Sequence, residues 1–169
     1  GLQEGGVSAT LKHFPGMGTV TSDTHDGTAT SGATYEELVA TDFLPFISGI
    51  TAGTDFVMVG HQTMTNLPDG DIPACLSSYI VTDLLRGELG YDGIVITDAM
   101  NMDAIDMTSG EATIAALEAG VDMILMPDDI DEAYTALVDA INEGTLTEAR
   151  INESLYRILK VKIDNGLLD

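Results

Sequence analysis

The residues with the most chemistry in this chain stand where apolar runs stop. Asp98 closes the run GIVITD at residues 93–98. A carboxylate in that position can serve as nucleophile, base or metal ligand, or simply cap the segment that follows. Lys12 and His13 close a run at residues 7–14, and Pro15, Gly16 and Gly18 then break regular structure. The polar stretch beyond carries Asp23 and His25, two residues apart. A carboxylate beside an imidazole can set its tautomer and basicity, although such a triplet alone is common in loops. His61 closes a further run, TDFVMVGH, at residues 54–61. A metal site built from His13, His25, His61 and Asp98 is conceivable. Their spacing matches no ligand motif, so none is expected. Gly16-Met17-Gly18 lacks the lysine and the remaining glycines of a phosphate loop. Asp103 and Asp106 read as a solvated helix start.

The elements that would position these groups are legible as a repeat. Four short runs, at residues 7–14, 54–61, 93–98 and 121–127, are nearly continuous in Val, Ile, Leu, Met and Ala rather than alternating. That pattern suits parallel strands covered on both faces. Helical patterns follow them. One starts at Thr34 with Glu36, Glu37 and Leu38, and another is capped by Ser77 or Ser78 with Ile80, Leu84 and Leu85 in register. A third covers residues 111–118 and stops at Gly120. A fourth covers 131–143, with Ala133, Leu137 and Ile141 on one stripe. Thr147 opens a fifth that ends by Gly166, with Ile151, Leu155, Ile158 and Leu159 expected inward. This last helix holds Arg150, Arg157, Lys160 and Lys162, four of the six basic residues. Repeated βα units predict an α/β fold with a parallel sheet, either open or half of an eight-stranded barrel. In both, ligands gather at the C-terminal ends of strands, where His13, His61 and Asp98 stand.

Bulk properties narrow the partners. The chain has 169 residues, enough for one domain with a core, and no linker divides it. Six Lys plus Arg stand against 28 Asp plus Glu, a formal charge of −22. Nucleic acid and anionic membrane surfaces would be repelled, and the charge reads as a solvated, halophilic or extracellular type of surface. No apolar run reaches the ~20 residues of a membrane span. The opening GLQEGG lacks the basic start and apolar middle of a secretory signal, and no compartment is assigned. The single cysteine, Cys75, reads as a small buried hydrophobe.

Taken together, KHFPGMG (residues 12–18), SDTH (22–25) and GIVITDAMNM (93–102) resemble glycoside hydrolase family 3, in particular its β-N-acetylglucosaminidase branch. The ending RINESLYRILKVKIDNGLLD is similar to the end of that family's catalytic barrel domain. The chain departs from the family at Met17, where members commonly carry a second histidine. The resemblance implies the second half of a TIM-type (β/α)8 barrel spanning residues 1–169, in a chain expected to be a fragment. It implies a retaining β-N-acetylhexosaminidase that removes terminal β-linked N-acetylglucosamine, with peptidoglycan fragments among its substrates and no cofactor. Asp98 would be the nucleophile, His25 the acid/base and Asp23 its orienting partner. Lys12 and His13 would hold sugar hydroxyls, and His61 would line the site. A family 3 β-glucosidase is the sister alternative, against which the Asp-x-His triplet speaks. An inactive half-barrel that self-associates, or pairs with a missing N-terminal half, is the other.

Overall fold

The computed structural model describes residues 1–18, 20 and 29–168. Asp23 and His25 lie outside the described residues. The chain forms β1 (Thr10–Phe14), β2 (Thr30–Ser31), α1 (Tyr35–Ala40), α2 (Phe43–Thr51), β3 (Phe56–Val59) and β4 (Thr63–Met64). A π-helix (Tyr79–Glu88) then precedes β5 (Ile94–Ala99), α3 (Ser109–Ala119), β6 (Met123–Leu125), α4 (Ile130–Glu143) and α5 (Glu148–Asp164).

The main sheet is wholly parallel, in the order β1-β3-β5-β6. This is the α/β class expected from the four nearly continuous apolar runs. Each strand falls largely within its run, so the polar residues that close the runs fall near the strand ends: Lys12, His13 and Asp98 in the last residues of β1 and β5, His61 two residues after β3. Helices cover one face. Val57, Val59, Val95 and Thr97 are fully buried there. Phe56, Met58, Ile96, Met123 and Leu125 keep partial exposure, so the expectation of burial on both faces holds for one face only. A second sheet pairs the two-residue strands β2 and β4 in parallel.

The helix starts follow their capping chemistry. Thr34 and Glu37 form a reciprocal capping box at α1, and Thr108 and Glu111 form another at α3. Asp129 accepts from the Asp131 and Glu132 amides at α4, and Thr147 from the Arg150 amide at α5. Ser77 caps the π-helix by accepting from the Ile80 amide at 3.2 Å. The helical pattern after Thr34 is broken into α1 and α2 at Thr41 and Asp42. Pro45, which would clash in a continuous helix, instead falls in the first turn of α2, where a proline is tolerated.

α5 corrects one sequence expectation. Leu155 and Leu159 are exposed, and the buried residue of the helix is Ser154. A polar anchor sets its rotation. The fully buried Asp122 carboxylate receives Ser154 Oγ at 2.7 Å, Arg157 Nη1 at 3.1 Å and, from the end of the π-helix, Arg86 Nη2 at 2.6 Å. The Val95 amide donates to it as well, at 3.0 Å. A buried charge must be compensated, and facing Asp122 outweighs burying two leucines.

Candidate active site

The site is built at the C-terminal edge of the main sheet. β1 is held there by Phe14, which is fully buried, stacks on Phe43 at 5.5 Å and meets Phe46 edge-on at 5.1 Å. The Gly60 amide donates to the Phe14 carbonyl at 3.0 Å, and Gln62 Nε2 donates to the Gly16 carbonyl at 3.2 Å. Those bonds fix the end of β1 to the segment that follows β3. With Phe14 turned inward, His13 is half-buried and Lys12 is exposed.

Asp98 is the penultimate residue of β5, not a helix cap, since α3 starts from Thr108. Its side chain is 18% exposed. Oδ1 accepts from the Ala99 amide at 2.8 Å. Oδ2 lies 3.4 Å from His13 Nε2. One carboxylate oxygen is therefore held by the chain itself, and the other faces an imidazole from a strand two places away. A partly exposed carboxylate oriented in this way can attack an electrophilic carbon, take a proton or bind hydroxyl groups.

His61 also arrives at the strand ends, two residues after β3. Its ring is fully buried, however, with Nε2 2.9 Å from the Ala99 carbonyl and Nδ1 3.2 Å from Cys75 Sγ. Both nitrogens are occupied by the protein, which leaves neither for a sugar hydroxyl in this geometry. Burial lowers the pKa of His61, opposed by the bond to Ala99 and the charge of Asp98. Cys75 is buried as read from the sequence, and burial pushes its thiol pKa far up. Its contact with His61 had no sequence signal, since no periodic pattern links positions 61 and 75. Among the described residues, no group of three His, Cys, Asp or Glu side chains is placed to hold a metal ion.

Just after β1, Asp42 Oδ1 accepts from the Gly18 amide at 3.1 Å. Gly16 has φ +132°, and a Cβ there would lie 2.3 Å from that same oxygen. Gly16, read as a breaker, thus suits both a positive φ and a close approach of backbone to carboxylate.

Residues 1–161 match the glycosyl hydrolase family 3 N terminal domain. The chain belongs to glycosyl hydrolase family 3. It is 42% identical over 180 residues to a beta-hexosaminidase of Stenotrophomonas maltophilia (strain K279a), a match covering 95% of this chain and 53% of that protein. Its fold is similar to that of a family 3 beta-N-acetylglucosaminidase from Paenibacillus sp. str. FPU-7. The TM-score there is 0.93 at 39% identity, over 97% of this chain and 32% of that one. For the beta-N-acetylglucosaminidase from Thermotoga maritima the TM-score is 0.85 at 33% identity, over 94% and 35% of the two chains. The chain spans about half the length of the curated relatives that it matches.

Proposed function

We propose that residues 1–169 form the C-terminal half of a retaining β-N-acetylhexosaminidase barrel and carry its nucleophile. The observation that supports this most directly is Asp98 at the end of β5, with Oδ1 held by the Ala99 amide and Oδ2 facing His13. In this reading Asp98 attacks the anomeric carbon of a terminal β-linked N-acetylglucosamine and the aglycone leaves. The covalent glycosyl-enzyme is then released by water with net retention. His25, oriented by Asp23, gives the leaving oxygen its proton and later takes one from water. Lys12 and His13 bind sugar hydroxyls beside Asp98. N-acetylglucosamine-containing glycans, peptidoglycan fragments among them, are the proposed substrates.

The proposal includes a partner for the open face of the sheet. β1 and β6 are edge strands, and Phe56, Met58, Ile96, Met123 and Leu125 are only partly covered. Unpaired edges and apolar faces favour association. A complementary N-terminal half, or a second copy of this chain, would cover them.

The test is hydrolysis of aryl glycosides by this chain joined to a family 3 N-terminal half-barrel. Aryl β-N-acetylglucosaminide should be turned over and Asp98→Asn should abolish the turnover. The 169-residue chain alone should be inactive. Preferential cleavage of an aryl β-glucoside, or full activity in Asp98→Asn, would overturn the reading.

A further inference from the structure

We infer that Cys75 and His61 form a neutral hydrogen-bond relay that fixes the Ala99 peptide and thereby aims the Asp98 carboxylate. The inference rests on the reading of Asp98 as the reacting group, but its geometry stands independently.

The direction of each bond follows from donor inventory. The Ala99 carbonyl can only accept, so the His61 nitrogen 2.9 Å away, Nε2, must carry the proton. In a neutral ring Nδ1 then offers a lone pair. Cys75 Sγ stands 3.2 Å from it and is fully buried, a setting that keeps the thiol protonated. The thiol therefore donates to Nδ1, and Nε2–H donates to the carbonyl. An imidazolium would set two donors against each other in a site closed to water.

The relay is rigid at its far end. Cys75 sits in the short 3₁₀ turn Ala74–Leu76. The Cys75 amide donates to the Gly60 carbonyl at 3.0 Å, and the Ala74 amide to the Gln62 carbonyl at 3.0 Å. Those two bonds lock the turn against the segment that carries His61. At the near end, Ala99 is held on both sides: its carbonyl by His61, its amide by Asp98 Oδ1 at 2.8 Å. The amide and the carbonyl lie in successive peptide planes joined at the Ala99 Cα, so pinning the carbonyl restrains that Cα and, through it, the amide that orients the carboxylate. His61 is thus a positioning residue, acting on Asp98 through the backbone rather than on substrate.

The experiment is NMR on the 169-residue chain, with two-bond ¹⁵N–¹H correlations of the imidazoles between pH 6 and 8 and hydrogen exchange of the Ala99 amide. His61 should show a protonated Nε2 and an unprotonated Nδ1 throughout. In His61→Phe the Ala99 amide should exchange roughly tenfold faster, while amides of α4 are unchanged. Cys75→Val should shift the Nδ1 resonance and speed Ala99 exchange, and Cys75→Ser, which restores a donor, should reverse both. A protonated Nδ1, a charged ring at pH 7, or unchanged Ala99 exchange in the variants overturns the relay. Should His61→Phe fail to fold, the Cys75 pair alone decides. Loss of the nucleophile reading in glycosidase assays would leave these resonances untouched, so the two failures are distinguishable.

Discussion

His13 Nε2 and Asp98 Oδ2 lie 3.4 Å apart although β3 runs between their strands. The two side chains meet because β3 ends at Val59 and is followed by Gly60. A Cβ on Gly60 would lie 2.2 Å from Gln62 Oε1 and 3.3 Å from His13 Cβ. Gln62 is fully buried and its Nε2 is already committed to the Gly16 carbonyl. It has little room to yield. Gly60→Ala is therefore expected to destabilise the fold by about 1–3 kcal/mol through overpacking. In a completed barrel, kcat should fall further than the stability loss explains, because His13 is displaced from Asp98. Urea unfolding together with kcat for an aryl glycoside checks both; unchanged kinetics in a destabilised protein would separate His13 from catalysis.

Phe14 is the internal counterpart of that arrangement. It is buried to 0% exposure between Phe43 and Phe46, and its carbonyl receives the Gly60 amide. Phe14→Ala should cost about 3–5 kcal/mol, the range for removing a buried aromatic ring. Phe14→Leu should cost less, since it keeps most of the volume. Denaturant midpoints of the two variants provide the check, and equal costs would mean that the ring packing carries no specific weight.

Stability should also depend on pH through His61. Its folded pKa is depressed by burial, with the Ala99 bond and Asp98 charge only partly opposing. A base with a depressed folded pKa binds fewer protons when folded than when unfolded. Its contribution is therefore complete above its unfolded value of about 6.5 and is lost as pH falls through the folded pKa. The groups facing the ring are the Cys75 thiol and the Asp98 carboxylate, and His13 lies behind Asp98. The stability difference between wild type and His61→Phe should shrink below pH 6.5, by at most about 1.4 kcal/mol per pH unit. Urea titrations at pH 8, 6.5 and 5.5 measure it; a difference independent of pH would contradict a neutral buried ring.

The parallel sheet was legible because its strands lie in nearly continuous apolar runs, and the candidate site because polar residues stand where those runs end. His13 and Asp98 follow directly from that rule. His61 obeys it too, yet its burial does not, because the residue that covers Nδ1 is Cys75 in a turn 14 positions away. Long-range side-chain pairs leave no periodic trace. The division of α1 from α2 was hidden because the sequence remains helix-compatible across Thr41 and Asp42, so only Pro45 marked a possible break. The rotation of α5 was misread from its leucines. The overlooked signal was Asp122 inside an apolar run, since a charge placed there must gather counter-charges when it is buried.

That aspartate supports the last prediction. Asp122 faces three guanidiniums, Arg86 at 2.6 Å, Arg157 at 3.1 Å and Arg150 at 3.8 Å. The three arginine side chains are only 14%, 18% and 17% exposed. Burial lowers the pKa of Arg86 and Arg150, and the charge of Asp122 is the main force opposing it. Asp122→Ala would leave three partly buried cations without that counter-charge, and would strip Ser154 and the Val95 amide of their acceptor. Breaking a buried ion pair from one side costs about 3–5 kcal/mol, a large part of a typical domain's stability. The isosteric Asp122→Asn keeps an acceptor but not the charge, so its cost should be intermediate. The exposed pair Lys160–Asp164, at 2.6 Å, is the control, and Lys160→Ala should leave the denaturation midpoint unchanged. Thermal and urea unfolding of the three variants should rank them Asp122→Ala, Asp122→Asn, Lys160→Ala in decreasing damage. If Asp122→Ala were no worse than Lys160→Ala, the anchor that sets the rotation of α5 would have to lie elsewhere.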